Sequence, residues 1–99
     1  MIHSYEGTFN YNDGTIRNAW NSSSIGVYYL FEGSEIVYIG SGTGEHGIRG
    51  RLLVHLSENS FPYVNSFGYK FIDTVDETLL HEKSEIQRLN PKYNKQNIL

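Results

Sequence analysis

Arg51 and His55 lie four residues apart in a stretch of helical spacing, which stacks their side chains on one face beside an apolar stripe. Further along, Glu82 falls three residues after Leu79 and four before Ile86, where the stripe Leu79, Ile86, Leu89 calls for a leucine. Charged groups at the margin of a core are costly unless they are paired or employed. One reading is an Arg51–Glu82 ion pair pinning two helices. The other is a site where carboxylate, guanidinium and imidazole converge. A single carboxylate such as Glu82 could hold Mg²⁺ mainly through waters and substrate phosphate oxygens. The glycine-rich run Gly40-Ser-Gly-Thr-Gly-Glu-His-Gly47 precedes the first of these helices, and backbone N–H groups at a helix start favour phosphate.

These side chains need a scaffold, and the chain supplies one. Ile25 to Phe31 is nearly continuous apolar and aromatic sequence, which predicts a strand covered on both faces. Glu32-Gly33-Ser34-Glu35 supplies a turn, and Ile36 to Ile39 is the partner strand. A two-residue loop sets Tyr29 opposite Tyr38, and a three-residue loop sets Tyr28 there, so two phenols could meet on one face either way. Ile48, Leu52, Leu53 and Leu56 predict a helix ending near Glu58, broken by Asn59-Ser-Phe-Pro62. Phe67, Tyr69 and Phe71, or on the other parity Gly68, Lys70 and Ile72, read as a third strand. Thr74-Val-Asp-Glu77 is a capping-box signature opening a second helix, which should stop before Pro91. Residues 1–24, rich in Asn, Ser and Tyr, read as an arm or hairpin: Tyr5, Gly7, Phe9 and Tyr11 alternate, Asn12-Asp13-Gly14 turns, and the return runs into Ile16 and Trp20. Asn21-Ser-Ser-Ser24 reads as a linker, leaving residues 25–99 as the main domain.

A chain of 99 residues, 38% hydrophobic, makes one domain with one core. Without cysteine it can form neither a disulfide framework nor a thiolate zinc site. No basic region followed by an apolar run opens the chain and no stretch is long enough for a bilayer, so a soluble, cytoplasmic protein without membrane contact is expected. The formal charge of −3 argues against non-specific nucleic-acid binding. The distribution is more permissive: Arg49 and Arg51 sit together, and Lys83, Arg88, Lys92 and Lys95 fall in the last 17 residues, which is either a local basic face on an acidic body or a set of ordinary surface cations.

Other chemistries fit poorly. Gly42-Thr-Gly44-Glu-His-Gly47, with Asp73 further on, is a dinucleotide fingerprint in outline, but only 26 residues follow Asp73 and a doubly wound sheet has no room. His46, His55 and His81 show no pair spaced as two zinc ligands on one helix face. There is no Gly-x-Ser-x-Gly elbow.

Gly26-Val-Tyr28 followed about ten residues later by Tyr38-Ile-Gly40 resembles the paired motif of the GIY-YIG nuclease superfamily. The likeness continues in order through Arg51, His55, Glu82 and Pro91-Lys-Tyr-Asn94, over residues 26–94. Val27 stands where the family has isoleucine, and the loop between Gly40 and Arg51 is longer than usual, which leaves Arg49 as an alternative to Arg51. The resemblance implies a small α/β domain, a three-stranded antiparallel sheet flanked by helices, with the arm added. It also implies a stand-alone endonuclease that hydrolyses phosphodiester bonds with Mg²⁺ or Mn²⁺ and a water nucleophile. By the same likeness Tyr28 would orient or deprotonate the water and Tyr38 would bond near the phosphate. Arg51 would stabilise its charge, His55 would stand near the nucleophile, Glu82 would bind the metal and Asn94 would brace the site. Gly40, Arg49, Lys83 and Lys92 would contact substrate. Hydrolysis of this kind needs an activated water, cationic stabilisation and a metal, and these residue types meet those needs. The expected partner is nucleic acid, DNA in preference to RNA, with a homo-oligomer or protein partner supplying specificity. The alternative is a non-catalytic module of the same fold that binds nucleic acid or a protein.

Overall fold

The computed structural model describes residues 2–4, 8–19 and 23–97. In chain order these form β1 (Ile2–Ser4), β2 (Phe9–Asn10), α1 (Asp13–Ala19), β3 (Gly26–Glu32), β4 (Glu35–Gly42), α2 (Gly47–Ser57), β5 (Ser66–Ile72), α3 (Val75–Leu89) and a 3-10 helix, Lys92–Asn97. Every strand pairing is antiparallel, in the order β1–β5–β3–β4, with β2 also on β5. The sheet therefore has a fourth row beyond the three expected. The amino-terminal arm supplies it, β1 along Lys70–Ile72 and β2 along Ser66–Phe67.

Within that arm the expected hairpin gives way to two short strands that each lean on β5. Asn12-Asp13-Gly14 is no turn but the start of α1, where Asn12 Oδ1 accepts a 2.9 Å hydrogen bond from the Thr15 N–H. Asparagine serves turns and helix caps through the same side-chain chemistry, and here the cap wins because Ile16 is drawn into the core. Tyr5, Gly7 and Trp20, assigned to the hairpin above, lie outside the described residues.

The sheet is covered on both faces. Tyr28, Leu30, Val37, Phe67 and Tyr69 pack beneath Ile16 of α1 and Ile48 and Leu52 of α2. On the other face Val27, Tyr29, Ile39 and Ile72 meet Ile86 and Leu89 of α3. Burying each large aliphatic contributes about 1.5–3 kcal/mol. The continuous apolar run of β3 matches this position, since Val27 through Leu30 are all buried.

The hairpin register differs from both alternatives. Glu32 pairs with Glu35 around a two-residue turn, but a bulge in β4, between the partners of Leu30 and Phe31, shifts the pairing, so Leu30 faces Tyr38 and Tyr28 faces Gly40. The extra residue is Val37, which is fully buried, and the bulge lets Val37 and Tyr38 both turn toward α2. The two phenols become diagonal neighbours with ring centroids 6.3 Å apart.

Both long helices keep the predicted ends. Thr74 caps α3, its hydroxyl accepting from the Glu77 N–H at 3.1 Å, and the helix closes on Asn90 in the left-handed region just before Pro91. At the start of α2, Gly47 has φ +56° and packs so tightly that a Cβ would lie 2.1 Å from the Ser24 carbonyl oxygen. The glycine-rich run thus brings backbone against backbone and sets the entry of α2 onto the sheet.

Candidate active site

Strand β4 forms one edge of the sheet, and successive residues on it face opposite ways. Gly40 faces α2. Its missing side chain makes room for Tyr28, since a Cβ there would meet the Tyr28 hydroxyl oxygen at 2.4 Å. Ser41 faces α3 and donates from Oγ to Glu82 Oε1 at 3.0 Å. Two helices on opposite faces of the sheet therefore present side chains around one short piece of edge strand.

On the α2 side, Ile48, Leu52 and His55 are the buried face of the helix, so His55 stands within the stripe rather than beside it. Its Nε2 is 2.7 Å from the Tyr28 hydroxyl, and both groups are buried. Phe61, from the loop that breaks the helix, packs edge-on against the imidazole at 5.1 Å and against Tyr38 at 4.6 Å between centroids. Burial pushes the Tyr28 pKa well up, Tyr38 adds to the rise, and the Arg51 guanidinium pulls against it. Burial, aided by Arg51, moves His55 below the ordinary imidazole value, with Glu58 opposing. The pair at neutral pH is thus a protonated phenol beside a neutral imidazole. Tyr38, half-buried, is raised by burial and by the charge of Glu82, with Arg51 opposing.

Arg51 is exposed at the margin of this cluster, and its charge acts on Tyr28, Tyr38 and His55 alike. The charge of Glu82 acts on Tyr28 and Tyr38 from the other side. Among the ion pairs of the described residues none joins Arg51 to Glu82, so the pinning salt bridge is not formed. Asn94, in the 3-10 helix, clamps the same strand: its Oδ1 accepts the Ile39 N–H and its Nδ2 donates to the Ile39 carbonyl, both at 2.9 Å.

The inward face of α3 keeps Glu82, Ile86 and Leu89 of the sequence reading and loses only Leu79. Leu79 is 47% exposed, and the residues turned to the sheet are Thr78, Glu82, Glu85, Ile86 and Leu89. Glu85, only 4% exposed, is the deepest carboxylate on this helix. It accepts from Tyr29 Oη at 2.6 Å, Arg88 Nε at 2.7 Å and Lys70 Nζ at 3.2 Å. These bonds, led by Arg88, hold its pKa down to about 2.

The two glutamates differ in what they could bind. Glu85 is enclosed by two cations. Glu82 is half-buried, accepts from one neutral hydroxyl and forms no ion pair among the described residues. No three His, Asp or Glu side chains gather as a metal cluster among the described residues. That donor set fits a hard divalent cation holding one carboxylate and keeping several waters.

The remaining candidates are scattered. Gly40 lies in the site. Arg49 is half-buried on α2, and Lys83 is exposed on α3 next to Glu82. Lys92 sits at the far end of the hairpin, where it and Tyr93 bond Glu32, with Lys92 Nζ at 3.0 Å. Ser41 and Phe61 were not singled out by the sequence reading. Strand alternation marks Ser41, since the residue after Gly40 must face the helix opposite Tyr28.

The fold is that of the GIY-YIG endonuclease domain of UvrC from Thermotoga maritima. The magnesium-bound form of that domain is 21% identical over 83% of this chain and 98% of its own, with a TM-score of 0.67. Two of its point mutants, also bound to the catalytic divalent cation, match at 19% and 20% identity with the same TM-score and the same share of this chain, covering 97% and 98% of their own chains. No protein-family model matches the chain, and no curated protein is detectably similar in sequence.

Proposed function

We propose that this chain is a divalent-metal-dependent endonuclease that cuts DNA by attack of water on a phosphodiester. The observation that carries the reading is the arrangement around residues 40–42 of β4: the bonded Tyr28–His55 pair and Arg51 on one side, and on the other Glu82, which has no counterion among the described residues. The similar domain binds magnesium as its catalytic cation, and Glu82 is the residue of this chain suited to hold one.

Each side chain has a role suited to its surroundings. A scissile phosphate against the open edge of β4 lies within reach of Arg51, which holds the charge developing on the equatorial oxygens. Tyr38, on the same face, donates a hydrogen bond to the phosphate. Tyr28 orients the attacking water and passes its own proton to the neutral His55 as it takes one from the water. A phenol with a raised pKa is a poor base alone, and the imidazole at 2.7 Å relieves that weakness. Ser41 fixes the rotamer of Glu82, and Asn94 holds the strand between them. A bound cation supplies neutralisation of charge on the leaving oxygen.

One observation favours the second reading, a nucleic-acid-binding module without catalysis. Lys70, Arg88 and Lys92 are all engaged by carboxylates, which weakens the basic face a nuclease would use. A single experiment separates the readings. Supercoiled plasmid is incubated with wild type, Glu82→Ala and Arg51→Ala, with Mg²⁺, with Mn²⁺ and with EDTA. Cleavage by wild type that both substitutions and EDTA abolish supports the nuclease. Equal cleavage by all three proteins points to a contaminant, and a gel shift that survives EDTA and Glu82→Ala without cleavage supports the module.

A further inference from the structure

The hydroxyl of Tyr11 is buried and has no hydrogen-bond partner among the described residues. Burial pushes its pKa up to about 12, so it stays protonated. A buried hydroxyl left unpaired costs about 1–3 kcal/mol, and such a group in a native fold calls for an explanation. Tyr11 belongs to the amino-terminal arm, between β2 and α1, where its N–H donates to the Asn65 carbonyl at 3.1 Å. It lines a cavity of about 210 Å³ whose wall includes His55 and Phe61 and whose rim includes the exposed Asn59 and Pro62.

That cavity lies on the imidazole of the proposed site. His55 Nε2 is occupied by Tyr28, and its other ring nitrogen, Nδ1, has no protein partner among the described residues. A cavity needs only about 10–15 Å³ of probe volume and two or more polar partners to hold a water, so this one has both room and partners.

We infer that Tyr11 is a positioning residue that acts on His55 through a water held in this cavity. The water accepts from both the Tyr11 O–H and the His55 Nδ1–H. With its proton fixed on Nδ1, the ring presents an unprotonated Nε2 to Tyr28, which donates its O–H there. The opposite tautomer would turn an N–H toward Tyr28 and close the route by which the phenol gives up its proton. The arm thereby holds the protonation geometry of the site as well as covering an edge of the sheet. The inference rests on the reading of Tyr28 and His55 as the proton-handling pair, yet its first test needs neither metal nor DNA.

Tyr11→Phe keeps the ring and removes the hydroxyl. Nitrogen-resolved NMR of the histidine rings in metal-free protein reports the tautomer directly. Wild type is expected to hold His55 with the proton on Nδ1, and Tyr11→Phe is expected to show a mixture. Where cleavage is measurable, the lost hydrogen bond predicts about a tenfold fall in kcat with KM unchanged. The acid limb of the pH profile should shift as well, against a background set by Tyr28, Tyr38, Arg51 and Glu58, the other groups acting on His55. If the hydroxyl is only an unpaired buried group, Tyr11→Phe will be more stable than wild type with tautomer and pH profile unchanged, and that result overturns the inference. Absence of cleavage in wild type with the tautomer change present would remove the nuclease reading and leave the water bridge standing.

Discussion

The hydroxyl of Ser41 donates to Oε1 of Glu82 across 3.0 Å, tying the edge strand β4 to α3. Oε2 has no partner among the described residues, which suits single-oxygen ligation of a hydrated cation. Partners of this kind typically set metal affinity within 10–100-fold. Ser41→Ala is therefore predicted to raise the Mg²⁺ concentration for half-maximal cleavage about tenfold, with kcat at saturating metal little changed and Ser41→Thr restoring affinity. Titration of Mn²⁺ binding by calorimetry checks this without substrate; equal affinity in wild type and Ser41→Ala would remove the role.

Gly40 and Tyr28 occupy one space from two strands. Gly40→Ala must displace the Tyr28 ring, because a Cβ would lie 2.5 Å from its Cζ. The predicted cost is about 1–3 kcal/mol in urea unfolding, with cleavage lost out of proportion to the unfolded fraction. Full activity in a folded Gly40→Ala protein would show that Tyr28 need not stand where it does.

Tyr28→Phe strands the His55 Nε2 in a buried setting, at a predicted cost of about 1–3 kcal/mol. Cleavage should fall by about 10²–10⁴, the usual contribution of a positioned acid or base. Combined with His55→Phe, the loss should be far from additive, since each residue works through the other. Additive effects in kcat would mean the two act separately.

Glu85 makes an acid-stability prediction independent of catalysis. Its pKa is about 2 in the folded protein against an ordinary value of 4.5, so the unfolded chain takes up the proton first as pH falls. The stabilisation is fully present above about pH 4.5 and is lost progressively toward pH 2. Arg88 is largely exposed and screened, so the amount is on the order of 2 kcal/mol. Chemical denaturation of wild type and Glu85→Gln from pH 7 to pH 3 should give curves that converge as the pH drops. Parallel curves would contradict the assignment, and cleavage per folded molecule should be alike in the two proteins.

Much of this was legible because it is written in local chemistry. Thr74 and Glu77 mark a helix start, Pro91 forces a stop, and a run such as Val27 to Leu30 can only be a covered strand. The hairpin register was not legible, because the bulge at Val37 answers to packing against α2. Nor was the outward turn of Leu79 on α3. A reading guided by hydrophobicity chose Leu79, whereas the sheet offers this helix polar partners in Ser41, Lys70 and the Tyr29 hydroxyl, so glutamates are the matching faces. Ser41, Phe61 and the Tyr11 cavity depend on contacts between distant segments, which spacing alone cannot supply.

The amide of Asn94 copies, with one side chain, the pair of bonds a neighbouring strand would make to Ile39. An exposed sheet margin invites another chain to add itself and grow a fibre. By occupying that margin at its middle, the carboxy-terminal turn takes from β4 the backbone groups at Ile39 that an added strand would need, so the last turn of the chain finishes the sheet on this side.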